Sequence, residues 1–218
     1  MERTEQRALR AIDLLQSQDP DLLEIRFDLL NGTSSVDRIR KATDGMIVAT
    51  NRRRDQGGFF SGREETRLQT LIQAAQAGFD YVDLELNTKN VSRLVDGLKS
   101  DGAQAIVSYH NQKSTPNMAA LESILNNSKK TGADICKIVT TAKSYEDNLR
   151  CLGFVNKHAK KTKLVCFAMG RLGTPSRILS PIYGAQFTFA SSGRGRETAP
   201  GQIPIGTLRT FYKEFQMT

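Results

Sequence analysis

The stretch QAIVSYHNQKSTPNMAALESILNNSKKTGADICKIVTTAKSYEDNLRCLGFVNKHAKKTKLVCFA, residues 104–168, decides the fold. Three short apolar runs stand in it, at 104–109 (QAIVSY), 134–139 (DICKIV) and 163–168 (KLVCFA). Helical patterns at 118–131 and 145–160 separate them. Strands that alternate with helices build βαβ units and a parallel sheet. The same alternation extends toward both ends. Upstream, strands are expected at 22–27 (LLEIRF), 46–50 (MIVAT) and 81–86 (YVDLEL), with helices at 35–43, 64–77 and 91–100. In the second of these helices Leu68, Leu71, Ile72 and Ala75 form an i, i+3, i+4, i+7 stripe. Downstream come a short helix at 175–181, a seventh strand at 185–189 (AQFTF) and a last helix at 205–215.

Seven evenly spaced strands favour a (β/α)8 TIM barrel in the α/β class over a doubly wound sheet. The chain opens on a helix at 2–16, so the first barrel strand is missing from this reading. Its 218 residues fit one barrel domain over 1–218. There is no internal repeat, low-complexity segment or Pro/Gly-rich linker.

Composition excludes several classes. The chain is 39% hydrophobic and 25% charged, and no stretch approaches the roughly 18–20 apolar residues of a membrane helix. The N-terminus lacks the apolar region of a signal peptide, and a cytoplasmic location is expected. Cys136, Cys151 and Cys166 form no C-x-x-C pair, which suggests buried reduced thiols. His110 and His158 are the two histidines, in no metal-binding spacing. The net charge of +8 reads first as a solvated basic surface. Nucleic-acid binding is the alternative, but apart from Arg52-Arg53-Arg54 and the Arg194/Arg196 pair the cations are dispersed. Those two clusters flank candidate site loops and would attract a small anion.

Several residues are out of place as packing. Lys137 shares a strand face with Ile135 and Val139. Burial there disfavours its charge and favours a neutral, nucleophilic amine; snorkelling to solvent is the competing explanation. His110 follows an apolar strand, at the end where barrel active sites are built, and suits proton transfer. A hydrogen-bonded structural histidine is the alternative, and His158, among lysines, reads as surface. Glu24 with Arg26, and Asp83 with Glu85, share strand faces. Each pair either holds polar substrate groups or forms an ion-pair network beneath the site. Three Gly-rich stretches remain, at 56–58, 169–173 and 191–202; the last reads as a mobile lid.

Taken in order, these segments resemble the type I 3-dehydroquinate dehydratases. They are E-I-R-F-D at 24–28, T-N-R with Q-G-G at 50–58, Y-V-D-L-E-L at 81–86 and S-Y-H-N with T-P at 108–116. D-I-C-K-I at 134–138, M-G-R-L-G-T-P-S-R-I at 169–178 and T-A-P-G-Q-I at 198–203 complete the series. The resemblance implies a homodimeric lyase without cofactor or metal. It dehydrates 3-dehydroquinate to 3-dehydroshikimate in the shikimate pathway of aromatic amino acid biosynthesis. By the same resemblance Lys137 forms an imine with the substrate and His110 is the general acid/base. Glu24, Arg26 and Arg52 bind ring hydroxyls and shape the catalytic surroundings. Arg177 binds the substrate carboxylate, and Thr198 and Gln202 belong to the lid. Two departures stand out. Gln56 replaces a family glutamate that charges the catalytic histidine, a role Glu85 or Glu24 could take over. The family also places a strand before its first helix. The alternatives are another class I Schiff-base aldolase-type barrel and a catalytically decayed barrel that binds a small anion.

Overall fold

Short, largely apolar runs set the strands. In a computed structural model residues 4–30 and 35–215 are described. They hold six strands: β1 (Leu23–Arg26), β2 (Ile47–Thr50), β3 (Tyr81–Glu85), β4 (Gln104–His110), β5 (Ile135–Thr141) and β6 (Leu164–Met169). The helices are α1 (Glu5–Gln16), α2 (Val36–Arg40), α3 (Glu64–Gln76), α4 (Val91–Ser100), α5 (Met118–Lys130), α6 (Glu146–His158), α7 (Thr174–Leu179) and α8 (Ile205–Glu214). Residues 2–3, expected in the first helix, lie outside the described residues. Among the described residues, no helix is long and apolar enough to cross a membrane.

The chain divides into two compact units. The first comprises residues 1–108 and 130–134. Here β1 pairs with β2, β2 with β3 and β3 with β4, all parallel. Parallel strands are covered on both faces, so they read as continuous apolar runs rather than alternations. Every residue of β2 is buried. Two aspartates open strands on their neighbours: Asp80 accepts from Ile47 N–H at 2.9 Å and Asp134 from Ala105 N–H at 2.8 Å. Ile39, Ile47, Leu71, Phe79, Val82 and Leu84 are at the centre of the core.

The second unit comprises residues 109–129 and 135–218. Here β5 pairs in parallel with β6, with Lys137 opposite Val165. Beyond the end of β4, Asn111 N–H donates to Val139 O at 2.8 Å and Thr141 Oγ1 donates to Asn111 O at 2.8 Å. Helix α6 packs on β6, and its Cys151, Phe154 and Val155 are fully buried. The three cysteines are buried and free, as their spacing suggested.

One expected strand is absent. Residues 185–189 bend at Gln186, whose N–H donates to Leu164 O at 2.9 Å, but no ladder forms. Aromatic and β-branched content fits a pleated surface without guaranteeing partners for successive backbone groups.

Candidate active site

In the first unit the charged strand residues form a buried network. Arg52 follows β2 and is 4% exposed. Its Nη2 meets Asp83 at 2.6 Å; its Nη1 meets Glu85 Oε1 at 3.2 Å and Ser108 Oγ at 2.7 Å. Glu85 also accepts from Arg53 N–H at 3.1 Å, and its Oε2 lies 2.7 Å from Arg67 Nη1. Arg67, on α3, is fully buried and bound by Glu64, Asn51 O and Thr88. Burial works against the charge of Arg52, but Asp83 and Glu85 outweigh it and its pKa is raised. Arg67 follows the same logic, with Glu64 and Glu85 as the opposing carboxylates. Asp83 and Glu85 thus belong to an ion-pair network, the structural alternative weighed from their spacing.

Glu24 and Arg26 both lie on β1. The bidentate partner of Arg26 is Asp28, at 2.8 and 2.7 Å, while Glu24 accepts from Thr50 Oγ1 at 2.9 Å. Asp28 also accepts from Phe59 N–H at 3.0 Å. That bond belongs to a turn that the Q-G-G segment makes possible. Gly58 lies so close to the Arg52 carbonyl that a Cβ there would meet its oxygen at 2.1 Å. Only glycine lets the chain fold back at this point. Gln56 is buried in the same turn.

The second unit holds His110, Lys137 and Arg177, and the last two share Phe189 as a neighbour. His110 is half-buried at the C-terminal end of β4, and Lys137 sits in β5 at 4% exposure. Lys137 Nζ stands 4.2 Å from the centroid of the Phe189 ring. The same residue's carbonyl accepts a long bond, 3.5 Å, from Arg177 Nη1. Arg177 Nη2 donates to Pro200 O at 3.3 Å, and its guanidinium stacks 4.4 Å above the Phe167 ring. Arg177 is 2% exposed, its Nε lacks a hydrogen bond, and no carboxylate pairs with it among the described residues. Desolvation pushes its pKa down to about 10. A buried cation with no counter-ion is unfavourable alone and favourable when an anion arrives.

Pro200 lies in the expected lid. Within it Gln202 Oε1 accepts from Thr198 N–H at 2.7 Å and from Ala199 N–H at 3.3 Å, and Gln202 Nε2 donates to Thr198 Oγ1 at 3.2 Å. Pro200 O also accepts from Gly170 N–H at 3.2 Å. Gly201, at φ +82°, packs so closely on the Gly170 carbonyl that a Cβ would meet it at 2.5 Å. Sequence reasoning missed Phe189, Asp28 and Arg67. Phe189 was within reach, since it closes the apolar run at 185–189.

Comparison with known proteins gives the family and the fold. Residues 1–218 match the family model of the type I 3-dehydroquinases. A 3-dehydroquinate dehydratase of Dehalococcoides mccartyi is 36% identical over 203 residues, 93% of this chain and 90% of the relative. One from Methanothermobacter thermautotrophicus is 35% identical over 208 residues, 94% of this chain and 88% of the relative. The crystal structure of 3-dehydroquinate dehydratase from Geobacillus kaustophilus superposes with a TM-score of 0.90 at 28% identity, covering 99% of this chain and 88% of that one. The fold is accordingly α/β, of the TIM-barrel class expected from the strand–helix alternation. With residues 1–218 matching the family model, the chain belongs to the type I 3-dehydroquinases.

Proposed function

We infer that this protein dehydrates 3-dehydroquinate to 3-dehydroshikimate, a step of the shikimate pathway, through an imine on Lys137. The observation that carries the assignment of residues is the buried, counter-ion-free Arg177, which meets Lys137 at the two ends of Phe189. An acidic ring ketone matches such a pair: a carboxylate for the guanidinium and a carbonyl carbon for the amine.

The neutral Lys137 amine adds to the C3 ketone, and loss of water gives a protonated imine, an electron sink. His110 removes the C2 proton, and the C–H electron pair flows into the imine to give an enamine. The enamine expels the C1 hydroxyl as His110 returns the proton to it, and water departs. Hydrolysis of the conjugated imine releases 3-dehydroshikimate and restores Lys137. Arg177 fixes the ring by its carboxylate, so that C2 is presented to the base. Glu24, Arg26 and Arg52 hold ring hydroxyls, and Thr198 and Gln202 close over the bound ring. In this reading residues 1–218 work as one barrel domain, in the cytoplasm, as a homodimer.

Borohydride trapping tests the covalent step. Added with substrate, it should yield a stable adduct on the peptide containing Lys137, and Lys137→Ala should remove both adduct and turnover. Mass mapping that finds the adduct on another lysine, or none, overturns the assignment.

A further inference from the structure

A six-residue helix such as α7 holds its place poorly by itself, because its first N–H groups have no partner within it. Here a side chain from another helix supplies what is missing. Asn148, on α6, is 3% exposed. Its Oδ1 accepts from Ser176 N–H at 2.9 Å, and its Nδ2 donates to Leu172 O at 2.7 Å and to Tyr145 O at 3.1 Å. One amide therefore ties residues 172 and 176, on either side of the turn that leads into α7. Ser176 extends the anchor: its Oγ accepts from Ala168 N–H of β6 at 3.0 Å and donates to Gly173 O at 3.0 Å.

The next residue is Arg177. Its guanidinium is gripped weakly from outside, by two long bonds to the Phe189 and Pro200 carbonyls and the face of Phe167. A head so loosely held takes its position from its own backbone, and Asn148 fixes that backbone. We propose that Asn148 is a positioning residue for carboxylate recognition, acting through Arg177. The proposal rests on the reading of Arg177 given above.

An amide is the group this place requires, because it offers an acceptor and donors on one plane. Aspartate would set a carboxylate oxygen against the Leu172 carbonyl. Leucine would leave the Ser176 N–H and the Leu172 carbonyl buried without partners. None of the three hydrogen bonds of Asn148 involves Lys137 or His110, so its loss falls on binding rather than on the proton transfer.

Steady-state kinetics on Asn148→Ala, Arg177→Met and the double variant test this. Asn148→Ala should raise KM about tenfold and leave kcat within about twofold, the pattern of lost ground-state binding. Arg177→Met should raise KM by on the order of a hundredfold, as expected for a buried charge-assisted contact. The double variant should be no worse than Arg177→Met, since residues acting through one group are not additive. An unchanged KM in Asn148→Ala, or multiplied effects in the double variant, overturns the role of Asn148 while Arg177→Met still reports the carboxylate site. An unchanged KM in Arg177→Met overturns the carboxylate reading itself. If Asn148→Ala does not fold, Asn148→Asp keeps the volume and the acceptor for Ser176. It should show the same rise in KM, and a large fall in kcat at unchanged KM would overturn the proposal.

Discussion

Replacing Arg177 with methionine should make the ligand-free protein more stable and its affinity for a carboxylate much weaker. The guanidinium is 2% exposed and its charge is uncompensated, and burial alone brings its pKa from the ordinary arginine value down to about 10. At about 1.36 kcal/mol per pH unit, that fall corresponds to about 3 kcal/mol of unfavourable interaction for the charged form. Because the folded value lies below the unfolded one, the penalty is fully present at neutral pH, where both states hold the proton. It is relieved only as pH rises through about 10 toward the ordinary arginine value, where the unfolded chain alone still binds it. Methionine removes the charge and keeps most of the packing on Phe167. The long bonds to Phe189 O and Pro200 O are lost, at a cost of about 1 kcal/mol in buried acceptors. A net gain of roughly 1–2 kcal/mol remains, measured at pH 7 by urea unfolding. Product added in excess should raise the midpoint of the wild type and leave that of Arg177→Met nearly unchanged. A ligand-free variant less stable than the wild type, with product still stabilising it, would refute the reasoning.

Arg67→Met removes one partner from the buried network and leaves Glu85 short of a cation. It should cost roughly 3–5 kcal/mol by urea unfolding, and a loss under 1 kcal/mol would place the network's weight elsewhere. Gly201→Ala forces a side chain into left-handed backbone against the Gly170 carbonyl. Amide exchange over residues 198–202 should speed up about fivefold or more, in keeping with at least 1 kcal/mol of local strain; equal exchange would show the lid is not pinned there. Gln56→Glu should move the acidic limb of the pH–rate profile to higher pH, because a carboxylate favours the charged imidazole. An unchanged profile would separate residue 56 from the histidine.

Much of the fold was legible because parallel strands announce themselves. The runs at 104–109, 134–139 and 163–168 are apolar on both faces and match β4, β5 and β6 to within two residues. AQFTF at 185–189 misled because composition reports how well a side chain suits a sheet, while a strand also needs neighbours for its backbone. Lys137 stood out because a charge inside an apolar run has no packing rationale. Arg67 did not: with Glu64 three residues before it on an amphipathic helix, it reads as an ordinary surface ion pair. Its burial is made by tertiary structure, through Glu85, a residue eighteen positions away in sequence. Asn148 was equally silent, since a polar residue on a helix carries no sign that both of its functional groups will be consumed by another segment's backbone. Arg177 drew notice through its motif alone; its isolation from carboxylates became visible only in three dimensions.

Phe189 touches Lys137 with its ring and Arg177 with its carbonyl oxygen. The two contacts differ in what mutation can reach. Any substitution changes the surface beneath the lysine, whereas every amino acid brings a carbonyl to the arginine. The position is therefore free to drift in one role while being insulated in the other. An engineer who varies residue 189 to retune the amine will leave the anchoring of the guanidinium in place, provided the path of the backbone survives.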